Sequence, residues 1–322
     1  MKNKNNIWVI LLVLLSFTSC RDIMDLDPLD RVSSDVIFSN EEGIRSFLAN
    51  LYYRSPFEEF NYTFNGPHTG WGLWHGLLSD VLADNAAHSE FNYGPTLRTS
   101  FSYWSYGYML NRDMNLLLES IPEIGFLDED RKNELAGEIH FLRAFNYFAL
   151  AKWYGGVSII QNYQEYTSDV ESLKVPRSTE KDTWDFILAE CDKAIQYLPS
   201  SRSGKDTRRV TKCAASALKS RVALHAASIA KYWYKAPLSG EAASLGLVGL
   251  DASLANGYYE QCIKASQAVM ESGVPGLYNP SPASVGEAIN NYTALVQNPN
   301  ITPEEALLVY GYTKVPVDGH AM

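Results

Sequence analysis

The stretch Gly137-Glu-Ile-His-Phe-Leu-Arg-Ala-Phe-Asn-Tyr-Phe-Ala-Leu-Ala-Lys-Trp-Tyr-Gly-Gly-Val157 decides the fold. Leu135, Ile139, Leu142 and Ala149 recur at helical spacing, and Phe141, Phe145 and Phe148 line the adjoining face. An apolar arc this wide predicts a central helix, buried on most sides. Asp128 is placed to cap it, so the helix is expected over 129–154, where Gly155-Gly156 stops it.

Working toward the N-terminus, Pro122 closes a helix expected over 100–121 that carries Trp104, Tyr108, Leu110, Leu117 and Ile121. Before it lies an aromatic loop over 89–99, with Phe91, Tyr93, Gly94 and Pro95, and before that a helix over 71–87. Residues 55–70 read as loop, and Ser39-x-x-Glu42 is a capping box that opens a helix near residue 40. Toward the C-terminus, Val157-Ser-Ile-Ile160 reads as a short extended piece. Thr179-x-x-Asp182 caps a helix carrying Trp184, Ile187, Leu188 and Cys191, which ends before Pro199. Further helices are expected from Thr211 to Ala230 and from Asn256 to Ser272, with an extended piece over 306–312. The 32-residue step between Thr179 and Thr211 suits tetratricopeptide-type helix pairs, whose crossings need small residues such as Ala215, Ala217, Ala223 and Ala227. The expected fold class is all-α: a tetratricopeptide-like solenoid of helix pairs with long inserted loops and minor β segments.

The N-terminus reads as an export leader. Lys2 and Lys4 precede an apolar run from Ile7 to Leu15, too short to span a hydrocarbon layer, which needs about 20 residues. Thr18 and Ser19, small residues just before Cys20, suit a lipoprotein signal peptidase, although Phe17 replaces the usual leucine. Residues 1–19 are thus read as leader and Cys20 as the lipidation site, its acyl chains (palmitate among them) entering the bilayer. The plainer alternative makes Cys20 an ordinary residue near a conventional cleavage site. Residues 20–38, with Asp22, Asp25, Asp27 and Asp30, form an acidic tether, and residues 39–322 form the helical domain. Cys191, Cys213 and Cys262 are widely spaced, with no C-x-x-C, and read as small buried hydrophobes.

A formal charge of −10 argues against nucleic acid as partner. Catalytic signatures are missing: there is no H-E-x-x-H and no G-x-S-x-G, and Gly70-x-Gly72-x-x-x-Gly76 is one residue too long for a dinucleotide fingerprint. Glu138 and His140 fall on different helix faces, which speaks against a metal site. Asp80 and Asp84, one turn apart, read as local helix-face carboxylates rather than a general acid and base. The reading is therefore of a binding protein, not an enzyme, without cofactor or metal. Its 20 Tyr, 13 Phe and 7 Trp fill a core first, but exposed rings also stack on the C–H faces of sugars.

The 137–157 stretch resembles the hallmark of the SusD/RagB family, whose pattern reads A/G-E-x-x-F-L-R-A-x-x-Y-F-x-L-x-x-x-Y-G-x-V-P; Ser158 stands where that pattern has proline. Further matches follow in order: Cys20 with Leu26-Asp27-Pro28, Trp104-x-x-x-Tyr108 with Asn111, Arg177-Ser178-Thr179, Thr211-Lys212-x-Ala214-Ala215, and Tyr259 through Ala268. The resemblance implies a surface-exposed, lipid-anchored protein of the outer membrane. It implies a nutrient ligand of the oligosaccharide class and a TonB-dependent transporter as partner. The alternative keeps the helical scaffold for protein contact alone, without a small ligand. Glycan contacts in this family come from loops between the early helices, which puts forward Trp71, Trp74, Phe91, Asn92 and Tyr93. For Trp71 and Trp74, three apart at a helix start, a core position fits better. Family members usually run longer, with a second subdomain after the last repeat helix. That subdomain is read as absent here, the chain being either the product of a truncated or interrupted reading frame or a naturally short variant. The chain alone is therefore expected to bind glycan weakly or not at all and to associate through an exposed flank near 278–312.

Overall fold

The computed structural model describes residues 34–57, 103–273, 276–297 and 305–308. The chain divides into two compact units, Met1–Phe47 and Leu48–Met322. The helices are α1 (Ser34–Ile37), α2 (Glu41–Arg54), α3 (Trp104–Ser120), α4 (Glu129–Tyr154), α5 (Glu180–Tyr197), α6 (Lys212–Tyr232), α7 (Glu241–Ser244), α8 (Ala255–Glu271) and α9 (Val285–Gln297).

In the first unit, Phe38 and Phe47 meet edge to face at 5.3 Å, and Ile44 is fully buried. The cap of α2 is Asn40, whose side-chain oxygen accepts from the Gly43 N–H at 2.9 Å. The capping box placed it one residue earlier, but the Ser39 hydroxyl instead donates back to the Val36 carbonyl and closes the preceding turn.

In the second unit, α3, α4, α5, α6 and α8 pack in chain order, each against the next. This is the helix-pair stack expected of tetratricopeptide-like repeats. Asp128 caps α4 by accepting from the Arg131 N–H at 2.8 Å, and Thr179 caps α5 by accepting from the Asp182 N–H at 3.0 Å. Thr211 does the same for α6 through Ala214. Helix α4 is the centre: Leu135, Ile139, Leu142, Tyr147 and Leu150 are all 1% exposed or less, while Phe145, on the edge of the arc, is half-buried. The crossings of α6 use Ala215, Ala223 and Ala227, each fully buried, so its backbone approaches its neighbours closely.

Gly155 ends α4 with φ of 70°, and Gly156 follows where a Cβ would fall 2.2 Å from the Ser178 carbonyl oxygen. Only a bare backbone turns the chain in that space.

Two expectations change. No strand forms among the described residues. Val157 to Ile160 is extended, yet it joins no ladder; the Val157 carbonyl accepts from the Ser178 N–H at 3.0 Å, and side chains take further polar groups. Tyr108 donates to the Ser158 carbonyl (2.8 Å), Asn111 and Asn115 donate to the Ile160 carbonyl (2.8 and 3.0 Å), and Ser158 donates to the Val175 carbonyl (2.8 Å). The Tyr147 hydroxyl accepts from the Ile160 N–H at 2.9 Å. Of the piece expected over 306–312, residues 306–308 are described and they bend. The second change is an addition, α9, whose polar centre at Asn290 and Asn291 masks its period. Val285, Ile289, Tyr292 and Val296 recur along it and are all at least 60% exposed. The helix expected over 71–87 lies outside the described residues.

Candidate functional site

Cys20, Trp71, Trp74, Phe91, Asn92 and Tyr93 lie outside the described residues, as do Asp80 and Asp84. The structure does describe the residues on either side of 58–102, the segment whose sequence carries the five ligand candidates, where they meet the helical stack. Both land on one short part of α4. On the N-terminal side, Phe57 meets Phe145 at 5.0 Å between ring centroids and stacks on Phe141 at 6.4 Å. On the C-terminal side, the Tyr103 hydroxyl donates to Asn146 Oδ1 at 2.6 Å, and Asn146 Nδ2 donates to the Gly107 carbonyl at 3.0 Å.

The start of α3 is tied down as well. It has no side-chain cap of its own, so its first N–H groups need other acceptors. The Tyr154 hydroxyl, at the last residue of α4, accepts from the N–H groups of Tyr103 (3.0 Å) and Trp104 (3.1 Å). Trp104 then packs against Tyr154 and Tyr108, at 5.2 and 5.0 Å. Arg177 lies 5.9 Å from the Trp104 ring and donates through Nε to the Gly156 carbonyl at 2.7 Å. Burial pushes the Tyr108 phenol up to about 12, partly offset by its bond to Ser158.

Below these roots, the charged residues of the 137–157 stretch serve as internal bolts. Glu138, fully buried, accepts from the Tyr52 hydroxyl at 2.7 Å and lies 3.1 Å from Arg202 Nη2 and 3.3 Å from Arg209 Nη1. Arg143 donates through Nε to Glu190 Oε2 (2.7 Å) and through Nη1 to Asn115 Oδ1 (2.8 Å) and the Gln161 carbonyl (3.1 Å). His140 Nδ1 is 2.7 Å from the same Glu190 oxygen, and Lys193 Nζ is 3.0 Å from the other. Burial alone would raise the Glu190 carboxyl, but the bonds from His140 and Arg143 outweigh it and hold the group at about 2. At neutral pH it carries no proton to deliver.

Other reactive groups are likewise held inert. Burial raises the Cys191 thiol, keeping it protonated. His225 is lowered to about 4 by burial and then by Lys152 and Arg221, so its ring sits neutral against Trp184 (5.3 Å) and Phe148 (5.7 Å). Among the described residues no three His, Cys, Asp or Glu side chains could hold a metal ion, and no helix is long and apolar enough to cross a membrane. Cys213 is buried like Cys191, while Cys262 is half-buried.

The partners Tyr52, Glu190, Arg202 and Arg209 escaped the sequence reading. Arg143 and Glu190 are 47 positions apart, and no local pattern marks such a pair. The available signal was chemical: an arginine and a glutamate inside an otherwise apolar helical arc need buried counter-charges.

With this architecture in place, the kinship of the chain is clear. A sequence profile of the SusD-like family described as starch-binding and associating with the outer membrane matches residues 26–224. The chain belongs to the SusD/RagB family. A SusD-like protein of Formosa agariphila is 27% identical over 212 residues, which cover 62% of this chain and 39% of that protein. A SusD-like protein of Bacteroides fragilis superposes with a TM-score of 0.58 at 24% identity, over 90% of this chain and 48% of its own. A laminarin-binding SusD-like protein does so at 0.52 and 21%, over 84% and 50%. At such identities the superpositions speak for the fold. The chain spans about two-fifths of the length of the curated relatives it matches and about half that of these solved ones.

Proposed function

We propose that this protein binds nutrient oligosaccharide at the outer membrane surface, held there by acyl chains on Cys20, and passes it to a TonB-dependent transporter without transforming it. The observation that carries the reading is the double root on α4. Phe141, Phe145 and Asn146 belong to the family's hallmark stretch, and they hold Phe57 and Tyr103, the residues on either side of the 58–102 segment whose sequence carries Phe91, Asn92 and Tyr93. A binding loop needs such a fixed base, because ordering a free one costs affinity. The laminarin bound by one structural relative supports a glucan as the first ligand to try. Glu138 and Glu190, tied into arginine bolts, support binding rather than acid–base chemistry.

The test has two arms. In native gels containing laminarin, the Phe91→Ala/Tyr93→Ala variant should lose the retardation shown by the parent chain, with circular dichroism unchanged. Stacking losses of ~0.5–1.5 kcal/mol per ring suffice for that. Equal retardation of the two proteins would move the ligand elsewhere. In cells, Cys20→Ala should shift the protein from the membrane to the soluble fraction and abolish incorporation of a palmitate analogue; unchanged fractionation would remove the lipid anchor from the proposal.

A further inference from the structure

The end of α6 carries a feature that the reading above does not use. The run Lys231-Tyr-Trp-Tyr-Lys235 finishes the helix at Tyr232 and continues as a single 3₁₀ turn over Trp233–Lys235. Trp233 faces the protein: a Cβ on Gly249 would fall 2.7 Å from its Cδ1, so the indole lies on bare backbone and fixes the turn. That leaves Tyr232 at 48% and Tyr234 at 75% exposure, with both lysines exposed beside them. Tyr259, from the neighbouring α8, extends the row. Lys231 Nζ lies 5.5 Å from the Tyr259 centroid and 5.4 Å from that of Tyr232; Lys235 Nζ lies 5.2 Å from Tyr232 and 6.0 Å from Tyr234. Rings and ammonium groups therefore alternate: Tyr259, Lys231, Tyr232, Lys235, Tyr234. Among the described residues neither ammonium pairs with a carboxylate. On a chain of formal charge −10, that is a local inversion of sign.

A ligand matching this row must offer apolar C–H faces to the rings and anionic groups to the ammoniums, in alternation. An oligosaccharide of uronic acids has that chemistry, one pyranose face and one carboxylate in each sugar. The geometry points to a second, acidic-glycan site on the α6–α8 surface, formed by Lys231, Tyr232, Tyr234, Lys235 and Tyr259. A headgroup layer also accepts Tyr, Trp and Lys. Here, however, the indole, the ring best suited to wedge into such a layer, is turned inward onto Gly249. This site goes beyond the neutral-glucan reading and does not depend on it, since it shares no residue with the 58–102 segment.

The test uses the full chain and oligogalacturonate as probe, with laminarin run in parallel. The parent protein should bind oligogalacturonate, more weakly as salt is added. Lys231→Gln/Lys235→Gln should lose about tenfold in affinity, equivalent to about 1.4 kcal/mol. Tyr232→Ala/Tyr234→Ala should lose a similar amount, and Lys231→Arg/Lys235→Arg should retain binding. None of these should alter laminarin retardation, which reads the other site independently. Oligogalacturonate binding equal in the parent and the glutamine variant would overturn the proposal, as would no binding by the parent. Attachment to anionic phosphatidylglycerol vesicles, lost in the glutamine variant while oligogalacturonate goes unbound, would assign the row to a bilayer and overturn it equally.

Discussion

Arg143→Ala is expected to destabilise the fold by about 3–5 kcal/mol, the range for removing one partner from a buried ion pair. The side chain of Arg143 is 2% exposed and that of Glu190 is fully buried. Without the guanidinium, Glu190 keeps His140 and the half-exposed Lys193, while Asn115 Oδ1 and the Gln161 carbonyl lose their donor. Urea unfolding should show a large fall in midpoint with little change in slope. The double variant Arg143→Ala/Glu190→Ala should lose less than the two single losses added together, because it strands no charge. Acid offers a second readout. The carboxyl of Glu190 sits at about 2 in the fold against an ordinary 4.5. A depressed carboxylate contributes stability that is complete above the ordinary value and disappears as pH falls through 4.5 toward 2. For this group that is roughly 3 kcal/mol at about 1.36 kcal/mol per pKa unit. Arg143→Ala should flatten this acid dependence. A variant as stable as the parent, with the same acid profile, would show that the bolt does not form.

The second large effect is expected at Trp184, the largest fully buried side chain among the described residues. Its ring packs against Phe148 (6.0 Å) and His225 (5.3 Å), and its Nε1 donates to Glu180 Oε1 at 3.1 Å. Glu180 also accepts from the Gly249 N–H, and its own N–H donates to the Gly246 carbonyl at 2.8 Å, so one residue clamps the 246–249 loop to the head of α5. Trp184→Ala should cost about 3–5 kcal/mol through the cavity it leaves. It also leaves a carboxylate that burial already pushes upward short of one donor. Trp184→Phe separates the terms: it keeps most of the packing and should lose only about 1–3 kcal/mol, the cost of an unsatisfied buried acceptor. If both variants unfold at the urea concentration of the parent, the packing of α5 on α4 is not as described.

What could be read before the structure was what repeats locally. Thr179 and Thr211 cap where their side chains predict, Asp128 opens α4, and the wide arc of Leu135, Ile139 and Leu142 is the centre of the stack. Three kinds of information were not local. The N-cap of α2 moved to Asn40 because Ser39 had a competing acceptor one turn back. Val157 to Ile160 looked like a strand because extended, apolar backbone reads the same whether its partner is a strand or a row of side chains. The partners of Glu138 and Arg143 come from segments far along the chain. Of the site itself, the ligand role of Phe91, Asn92 and Tyr93 rests on the family resemblance, while the contacts of Phe57 and Tyr103 with α4 carry no local signal: an aromatic at such a position looks the same whether it faces ligand or helix.

The double root on α4 also bears on how binding preference can change over time. With Phe57 and Tyr103 both seated on α4, the entropic cost of joining these two points through the chain rises only with the logarithm of the number of residues between them, about 0.6 kcal/mol per doubling. Insertions, deletions or wholesale exchange between those two residues are therefore thermodynamically cheap, provided the Phe141, Phe145 and Asn146 seat is kept. On the proposed function, the hallmark stretch then serves as a fixed socket, against which the sequence of 58–102 can be exchanged while the helical stack stays as it is.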